Sequence, residues 1–269
     1  MSRLKISAIS YLNTAPLMWD FEHGEAAADF DISYTIPSAC AEALRTGTAD
    51  IGIIPAAAYT TVSDLLIIPD VAIAAKQAVR SILLVSKAPI DQARTVALDT
   101  SSMTSVALAK ILFARWLGGA REYKAMAPDL DAMLKTCDAA LLIGDPALQI
   151  DRTRYHSLDL AEEWVARTGK SFVFAFWAIR KQALSGRNGA AITEAFKTSR
   201  DHGLSAKNLA LIVQEWAPRL GLEAEAVRTY LLQNIHYSLD PPCLEGLKLY
   251  YQLGAEVDAL PHAPGLQFV

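Results

Sequence analysis

The stretch "RSILLVS", residues 80–86, decides the fold, because the alternation of strands and helices starts afresh after it. Its apolar residues, β-branched at intervals, predict a long buried strand. A second long strand is predicted at "FVFAFWAIR", residues 172–180. Two strands that cross between two α/β units form a hinge with a cleft between two lobes. We therefore expect these two strands to lie next to each other.

Before this hinge, the chain alternates between strands and helices. The predicted elements are the strand "KISAIS" (5–10), the helix "TAPLMWDFEHG" (14–24), the strand "DFDISYTIP" (29–37), the helix "SACAEALRTG" (38–47) and a strand that ends at Pro55. Thr14 and Ser38 are the expected caps of the two helices, because hydroxyl side chains are preferred at helix N-termini. This order predicts a parallel sheet with right-handed crossovers.

Between the two hinge strands, the same alternation predicts a second α/β unit. It has strands at "TVALD" (95–99) and "AALLIGD" (139–145), and helices within residues 101–118, 129–137 and 159–169. The chain from residue 190 onward is predicted to be helical and to cover the first lobe. The predicted fold class is therefore α/β with two lobes, the first formed by residues 1–82 and 178–269 and the second by residues 83–177.

The composition excludes several classes of protein. Of the 269 residues, 52% are hydrophobic and 20% are charged, which is ordinary for a folded protein. The net charge of −4 provides no excess of basic residues that would bind nucleic acid. The chain contains no run of 18 apolar residues, so no membrane span is predicted. "MSRLKISAISYL" leads directly into the first strand, which predicts a cytoplasmic protein without a secretory leader. Cys40, Cys137 and Cys243 are widely spaced, so neither a disulfide framework nor a metal site is expected, and no cofactor motif occurs.

Polar residues gather at the ends of four predicted strands. They form the stretches "SYLN" (10–13), "VRS" (79–81), "DTSSMTS" (99–105) and "IGDP" (143–146). In open α/β sheets, ligands bind beyond the carboxyl ends of strands, beside helix N-termini that offer free N–H groups. "SYLN" is therefore either a ligand-binding turn or a capped turn with a packed tyrosine, and both interpretations stay open.

"DTSSMTS" is the most informative of these stretches, because Thr104 and Ser105 are expected at the start of a long helix. Hydroxyls and unpaired N–H groups at a helix N-terminus form an anion site, although redundant capping is the alternative. Asp145 either caps the turn that follows it or accepts a proton from a ligand hydroxyl. Trp177 either lines the cleft or fills the core. The cleft is thus predicted to hold a small, oxygen-rich anion.

Seven stretches together resemble one known family, the menaquinone-biosynthesis chorismate dehydratases of the futalosine pathway. They are "SAISYLNTAPL", "IPSACAEALRTGTADIGIIPAAAY", "VRSILLVS", "DTSSMTSVALAKILF", "LLIGDPAL", "DLAEEWVARTGKSFVFAFWAIR" and "YLLQNIHYSLDPPCLEGLKLYY". The resemblance implies a type 2 periplasmic-binding-protein fold. It also implies a carbon–oxygen lyase that converts chorismate into 3-[(1-carboxyvinyl)oxy]benzoate and water. The alternative is a non-catalytic protein of the same fold that binds a small carboxylate.

The resemblance also implies roles for individual residues. Asn13 and Ser81 would be catalytic, and Thr104 and Ser105 would hold a substrate carboxylate. The rest of the predicted substrate-binding set is Ser10, Tyr11, Ser38, Asp145 and Trp177. Where the family tends to have arginine, this chain has Met103. If that position binds substrate, carboxylate binding here depends on hydroxyl and N–H groups alone. The sequence assigns no catalytic base and no oligomeric state.

Overall fold

Two five-stranded mixed sheets form the frame of the protein in the computed structural model, which describes residues 3–24, 28–119 and 121–269. The first sheet contains β1 (Leu4–Ile9), β2 (Phe30–Thr35), β3 (Ile51–Pro55), β4 (Leu65–Ala75) and β10 (Phe172–Arg180). The second contains β5 (Ile82–Ser86), β6 (Thr95–Asp99), β7 (Glu122–Met126), β8 (Ala139–Ile143) and β9 (His156–Asp159). The predicted α/β architecture with two lobes is confirmed.

The two sheets have the same topology. Their strand orders are β2-β1-β3-β10-β4 and β7-β6-β8-β5-β9. In each sheet three neighbouring strands are parallel, and the fourth, β10 or β5, runs antiparallel to both of its neighbours. The carboxyl ends of the parallel strands in each lobe therefore lie at one edge of its sheet.

Helices cover both sheets. They are α1 (Trp19–His23), α2 (Pro37–Thr46), α3 (Thr104–Arg115), α4 (Leu130–Thr136), α5 (Gly144–Leu148), α6 (Leu160–Thr168), α7 (Lys181–Leu184), α8 (Gly189–Gly203), α9 (Ala206–Leu220), α10 (Ala224–Thr229) and α11 (Pro241–Glu256). Short 3₁₀ segments occur at Leu12–Met18, Ala56–Thr60 and Ile90–Gln92, and a π-helical turn at Tyr230–Asn234. Within the described ranges, none of these helices has the length and apolar character needed to cross a bilayer.

The expectation that residues 80–86 and 172–180 form neighbouring strands is wrong. β5 pairs with β8 and β9, whereas β10 pairs with β3 and β4, so each is the antiparallel strand of its own sheet. The chain instead passes between the sheets in two short connections, residues 76–81 and 169–171, which we call the hinge connections. Residues 172–177, assigned to the second lobe by the sequence, pair within the first sheet. The lobe boundaries themselves stay a prediction.

Two predicted helix caps are also wrong. The first helical segment begins at Leu12 as a 3₁₀ turn, so Thr14 lies inside it. It begins early because the Leu12 N–H donates to the Asp145 carboxylate of the other lobe at 3.0 Å. The second helix begins at Pro37, one residue before Ser38, because proline is well suited to the first helical position and Ile36 precedes it in an extended conformation.

The C-terminal helices cover the first lobe, as expected, and α11 also reaches the second. The Ser199 hydroxyl of α8 donates to the Leu17 carbonyl at 2.8 Å and accepts from the Asp20 N–H at 3.0 Å. On α11, the Tyr250 hydroxyl donates to the Thr104 carbonyl at 3.0 Å, at the start of α3. α11 thus connects the first lobe to the helix that begins at the cleft.

Candidate active site

A small cavity of about 50 Å³ lies between the lobes at the carboxyl ends of β1, β3 and β8. We call it the interlobe cavity. Its lining residues are Ile9, Tyr11, Asn13, Pro37, Pro55, Ile73, Ile82, Ser102, Met103, Thr104, Ser105, Ile143, Gly144, Phe174 and Ala175.

The two lobes are closed around this cavity. The Ser38 N–H donates to the Ser101 carbonyl at 3.2 Å, and Leu12 is bound to Asp145 as described above. The Tyr11 ring lies against Gly144, where an added Cβ would stand 2.6 Å from a ring carbon. Gly144 also has a φ of +63°, which disfavours other residues. Glycine at position 144 therefore allows the close approach of the lobes.

Asn13 and Ser81 come together through a residue that the sequence analysis missed. Asn13 lines the cavity and is 9% exposed, whereas Ser81 is fully buried. The Tyr230 hydroxyl donates to Ser81 Oγ at 2.8 Å and also interacts with the Asn13 side chain. Burial raises the pKa of the Tyr230 hydroxyl, so the phenol stays protonated. The two predicted catalytic residues are thus joined by one buried phenol.

The hydroxyls of residues 100–105 are mostly bound within the protein. Ser101 Oγ donates to the Asp99 carboxylate at 2.6 Å, and Ser102 Oγ accepts from the Ser105 N–H at 3.2 Å. Thr104 Oγ1 accepts from the Ala57 N–H at 3.1 Å and donates to the Phe174 carbonyl at 3.0 Å. Capping of α3 therefore explains Ser102, whereas Ser101 and Thr104 bind other protein groups, and Ser102, Thr104 and Ser105 line the cavity.

Four predicted substrate-binding residues lie outside the lining of the interlobe cavity. Ser10 is exposed, and half-buried Ser38 makes the contact between the lobes. The half-buried Asp145 accepts from the Leu12 N–H across the lobes and does not cap α5, and burial raises its pKa to about 6. Trp177 is fully buried against Phe196, with ring centroids 4.7 Å apart, because β10 turns it into the core of the first lobe.

The electrostatic character of the cavity is neutral. Among the described residues that line it, none carries a charge at neutral pH. Met103, at the position where the family tends to have arginine, is one of them. Tyr11 lines it too, and burial raises the pKa of its hydroxyl, which interacts with Ser101. An anion in this cavity would be held by neutral dipoles, including the N-terminus of α3.

One cluster of metal-ligating residue types lies outside the cavity. His236, Asp240 and Cys243 place one ligand atom each within 4.8 Å of the others. The Asp240 carboxylate, however, is bound by Lys76 Nζ and by His236 Nε2, both at 2.9 Å. Its other oxygen caps α11 by accepting from the Cys243 N–H at 3.0 Å. The cluster is a complete hydrogen-bonded network beside a hinge connection.

Comparison with known proteins identifies the family. A family model described as menaquinone biosynthesis matches residues 4–256. A chorismate dehydratase from Thermus thermophilus is 30% identical over 272 residues, which cover 94% of each chain. Protein AF1704 from Archaeoglobus fulgidus has a TM-score of 0.74 at 17% identity, with 95% of this chain and 97% of that chain covered.

The periplasmic aliphatic sulphonate binding protein SsuA from Escherichia coli has a TM-score of 0.67 at 18% identity, with 98% and 95% of the chains covered. These structural likenesses confirm the predicted periplasmic-binding-protein fold. The family match and the curated relative identify an enzyme. The chain belongs to the menaquinone biosynthesis family.

Proposed function

We propose that this protein is a chorismate dehydratase, a lyase that converts chorismate into 3-[(1-carboxyvinyl)oxy]benzoate and water. The observation that carries the proposal is the relation to a chorismate dehydratase over 94% of both chains. The interlobe cavity supports it, because a site between two lobes can enclose the reacting atoms and exclude water. Asn13 lies on the wall of that cavity, as the resemblance implies.

The reaction needs little acid–base assistance from the protein. A base takes the ring hydrogen as a proton, its electron pair enters the ring, and the neighbouring C–O bond breaks. The departing hydroxide takes up a proton and leaves as water. The ring becomes aromatic, which gives the reaction a large driving force. The carbanion character that develops on the ring delocalises into the ring carboxylate, so fixed donors around that carboxylate stabilise the transition state.

The neutral wall of the cavity fits this chemistry. Asn13 is suited to a position beside an anion, because an amide donates and accepts hydrogen bonds without adding charge. We assign Asn13 and Ser81 to the departing hydroxyl or a carboxylate. Ser105 and the N-terminal N–H groups of α3 are assigned to the carboxylate at the other side of the cavity. Thr104 supports that helix end through its bonds to Ala57 and Phe174.

The base is assigned to the substrate itself. The described residues that line the cavity include no carboxylate, histidine or lysine. Chorismate carries an enolpyruvyl carboxylate near the ring, and this group is the proposed acceptor of the ring proton. An uncharged cavity favours this route, because a carboxylate that is poorly solvated is a stronger base than one in water.

The test is to incubate purified protein with chorismate and to follow both compounds by chromatography. We expect chorismate to disappear and the substituted benzoate to appear in equal amount. The Asn13→Ala variant is the control against contaminating activity, since it should form far less product. Chorismate that is bound but unchanged would support a binding protein of the same fold instead. The cytoplasmic location expected from the sequence stays a prediction.

A further inference from the structure

We propose that Tyr230 is a positioning residue, which holds the Ser81 hydroxyl and the Asn13 side chain in the arrangement that receives the departing hydroxyl of the substrate. This inference rests on the proposed dehydratase function and adds a residue to it. Tyr230 lies far from Ser81 along the chain, at a separation of 149 residues, and neither residue is among those that line the interlobe cavity, whereas Asn13 is. Its effect on the reaction must therefore pass through Ser81 and Asn13.

The backbone at Tyr230 forms a π-helical turn, which places its side chain against Ser81. Tyr230 begins the π-helical turn Tyr230–Asn234. Such turns are rare and often occur at functional sites, because they rotate a side chain out of the regular helical register. At the end of the turn, Asn234 Nδ2 donates to the Ala78 carbonyl at 2.9 Å. The turn is thus anchored to the same hinge connection that carries Ser81.

Ser81 is held just as firmly on its own side. The preceding residue, Arg80, has a φ of +65°, which is strained for a residue with a side chain. The Asp159 carboxylate accepts hydrogen bonds from the Arg80 N–H at 2.6 Å and the Val79 N–H at 3.2 Å. The Ser81 carbonyl accepts from the Gly144 N–H at 2.8 Å. Position 81 is therefore fixed by contacts from both lobes.

The direction of the Tyr230 hydrogen bond decides what Ser81 does. A serine hydroxyl has one proton to donate and two lone pairs that accept. Because the Tyr230 O–H occupies one lone pair of Ser81 Oγ, the Ser81 proton must be directed to another acceptor. The Asn13 side chain reaches the phenol from the cavity wall. The three groups therefore form one buried polar cluster, of which Asn13 lines the cavity.

The matched control is Tyr237, a second buried tyrosine close to Tyr230. It is 5% exposed, and among the described residues its hydroxyl has no hydrogen-bond partner. Tyr230→Phe and Tyr237→Phe each remove one buried phenolic hydroxyl and leave the ring in place. A general effect of losing such a hydroxyl would appear in both variants. A positioning effect on Ser81 would appear only in Tyr230→Phe.

The experiment measures kcat and KM for chorismate in both variants and in the Ser81→Ala background. We expect Tyr230→Phe to lower kcat about tenfold, the effect of one hydrogen bond to the reacting region, with KM changed less than about twofold. Tyr237→Phe should keep the wild-type kcat. In the Ser81→Ala background, Tyr230→Phe should have a smaller further effect on kcat, because only Asn13 remains of its two partners.

The outcomes separate this inference from the proposed function. Wild-type protein that leaves chorismate unchanged overturns the proposed function and this inference with it. An active wild type together with a Tyr230→Phe variant of unchanged kcat overturns the inference alone. So does an equal loss of kcat from Tyr230→Phe with and without Ser81. If Tyr230→Phe does not fold, 3-fluorotyrosine at position 230 keeps the ring and strengthens the donor. A kcat unaffected by that replacement overturns the inference.

Discussion

The two polar regions at the interlobe cavity differ in the partners of their side chains. Residues 99–105 hold many hydroxyls, yet Ser101, Ser102 and Thr104 are bonded to protein groups. On the other side, Asn13 lines the cavity and Ser81 is bonded to Tyr230. We propose that the first region shapes and supports the cavity, and that the second acts on the substrate.

The largest effect that tests this comparison is expected from Ser81→Ala. Turnover should fall about 100-fold, the usual order for loss of a donor that stabilises a transition state. Thermal unfolding should change much less, since only the bond to Tyr230 is lost from a well-packed region. The control is Ser10→Ala, which alters an exposed residue next to the same turn. Equal turnover in Ser81→Ala and the wild type would contradict the comparison.

Thr104→Val tests the supporting role of residues 99–105. This substitution keeps the shape of the side chain but leaves the Ala57 N–H and the Phe174 carbonyl without their partner. We expect a loss of about 1–3 kcal/mol in the free energy of unfolding. Urea denaturation measures it, with Thr100→Val as the control because residue 100 is exposed. If Thr104→Val kept its stability but lost turnover, Thr104 would belong with the residues that act on the substrate.

Met103→Arg tests whether the neutral wall limits substrate binding. The new guanidinium would face an anionic substrate in a cavity whose described lining residues carry no charge. We expect the KM for chorismate to fall about tenfold, the effect of one charge-assisted hydrogen bond. Met103→Gln, of similar length but neutral, separates the charge from the change of shape. A KM that is unchanged or higher in Met103→Arg would show that this position does not face a carboxylate.

The smallest effect is expected from Asp145→Asn and depends on pH. Burial raises the pKa of Asp145 to about 6, so the folded state favours the protonated carboxyl. In the unfolded chain the pKa of an aspartate is about 3.9. The stability that the raised pKa of Asp145 contributes to the folded state is therefore fully present below about pH 3.9 and is lost as the pH rises through about 6. Asparagine keeps an oxygen for the Leu12 N–H and carries no charge. At pH 8 the variant should therefore melt about 1–3 °C higher than the wild type, with no difference at pH 4.

Asp138→Asn is the control, because it should change the melting temperature at pH 8 in the opposite direction. Hydrogen bonds from Thr95 and Arg94 hold the pKa of Asp138 below its usual range, so the folded state favours its charged form. This variant should melt lower than the wild type at pH 8, and the difference should shrink as the pH falls. If Asp145→Asn also melted lower at pH 8, the charged carboxylate would be stabilising the contact between the lobes.

The sequence predicted the features that depend on local pattern. Apolar strands such as β5 and β10, the glycine at the end of α2 and the start of α3 at Thr104 were all located correctly. The strands β7 and β9 were missed, because they lie at the edges of the second sheet and are largely polar and exposed. A strand with one neighbour does not need the apolar run that identifies a central one.

The features that the sequence did not predict depend on contacts between distant residues. The early start at Leu12 is set by Asp145, which is 133 residues away. Tyr230 reaches Ser81 through a π-helical turn that no local periodicity indicates. Trp177 was placed in the predicted site, and only its packing on Phe196 shows that it belongs to the core. The turn "SYLN" did identify Asn13 as a residue of the cavity wall.

The most direct test of the account is the rate at which Asn13→Ala forms the substituted benzoate from chorismate, with thermal unfolding recorded in the same buffer. Asn13 lies on the cavity wall and contributes little to the apolar core, so its loss should affect the reaction more than the fold. We predict a turnover lower by about 100-fold or more and a midpoint of unfolding within about 2 °C of the wild type. Near-normal turnover, or a large fall in the midpoint with turnover preserved in the folded fraction, would contradict the account.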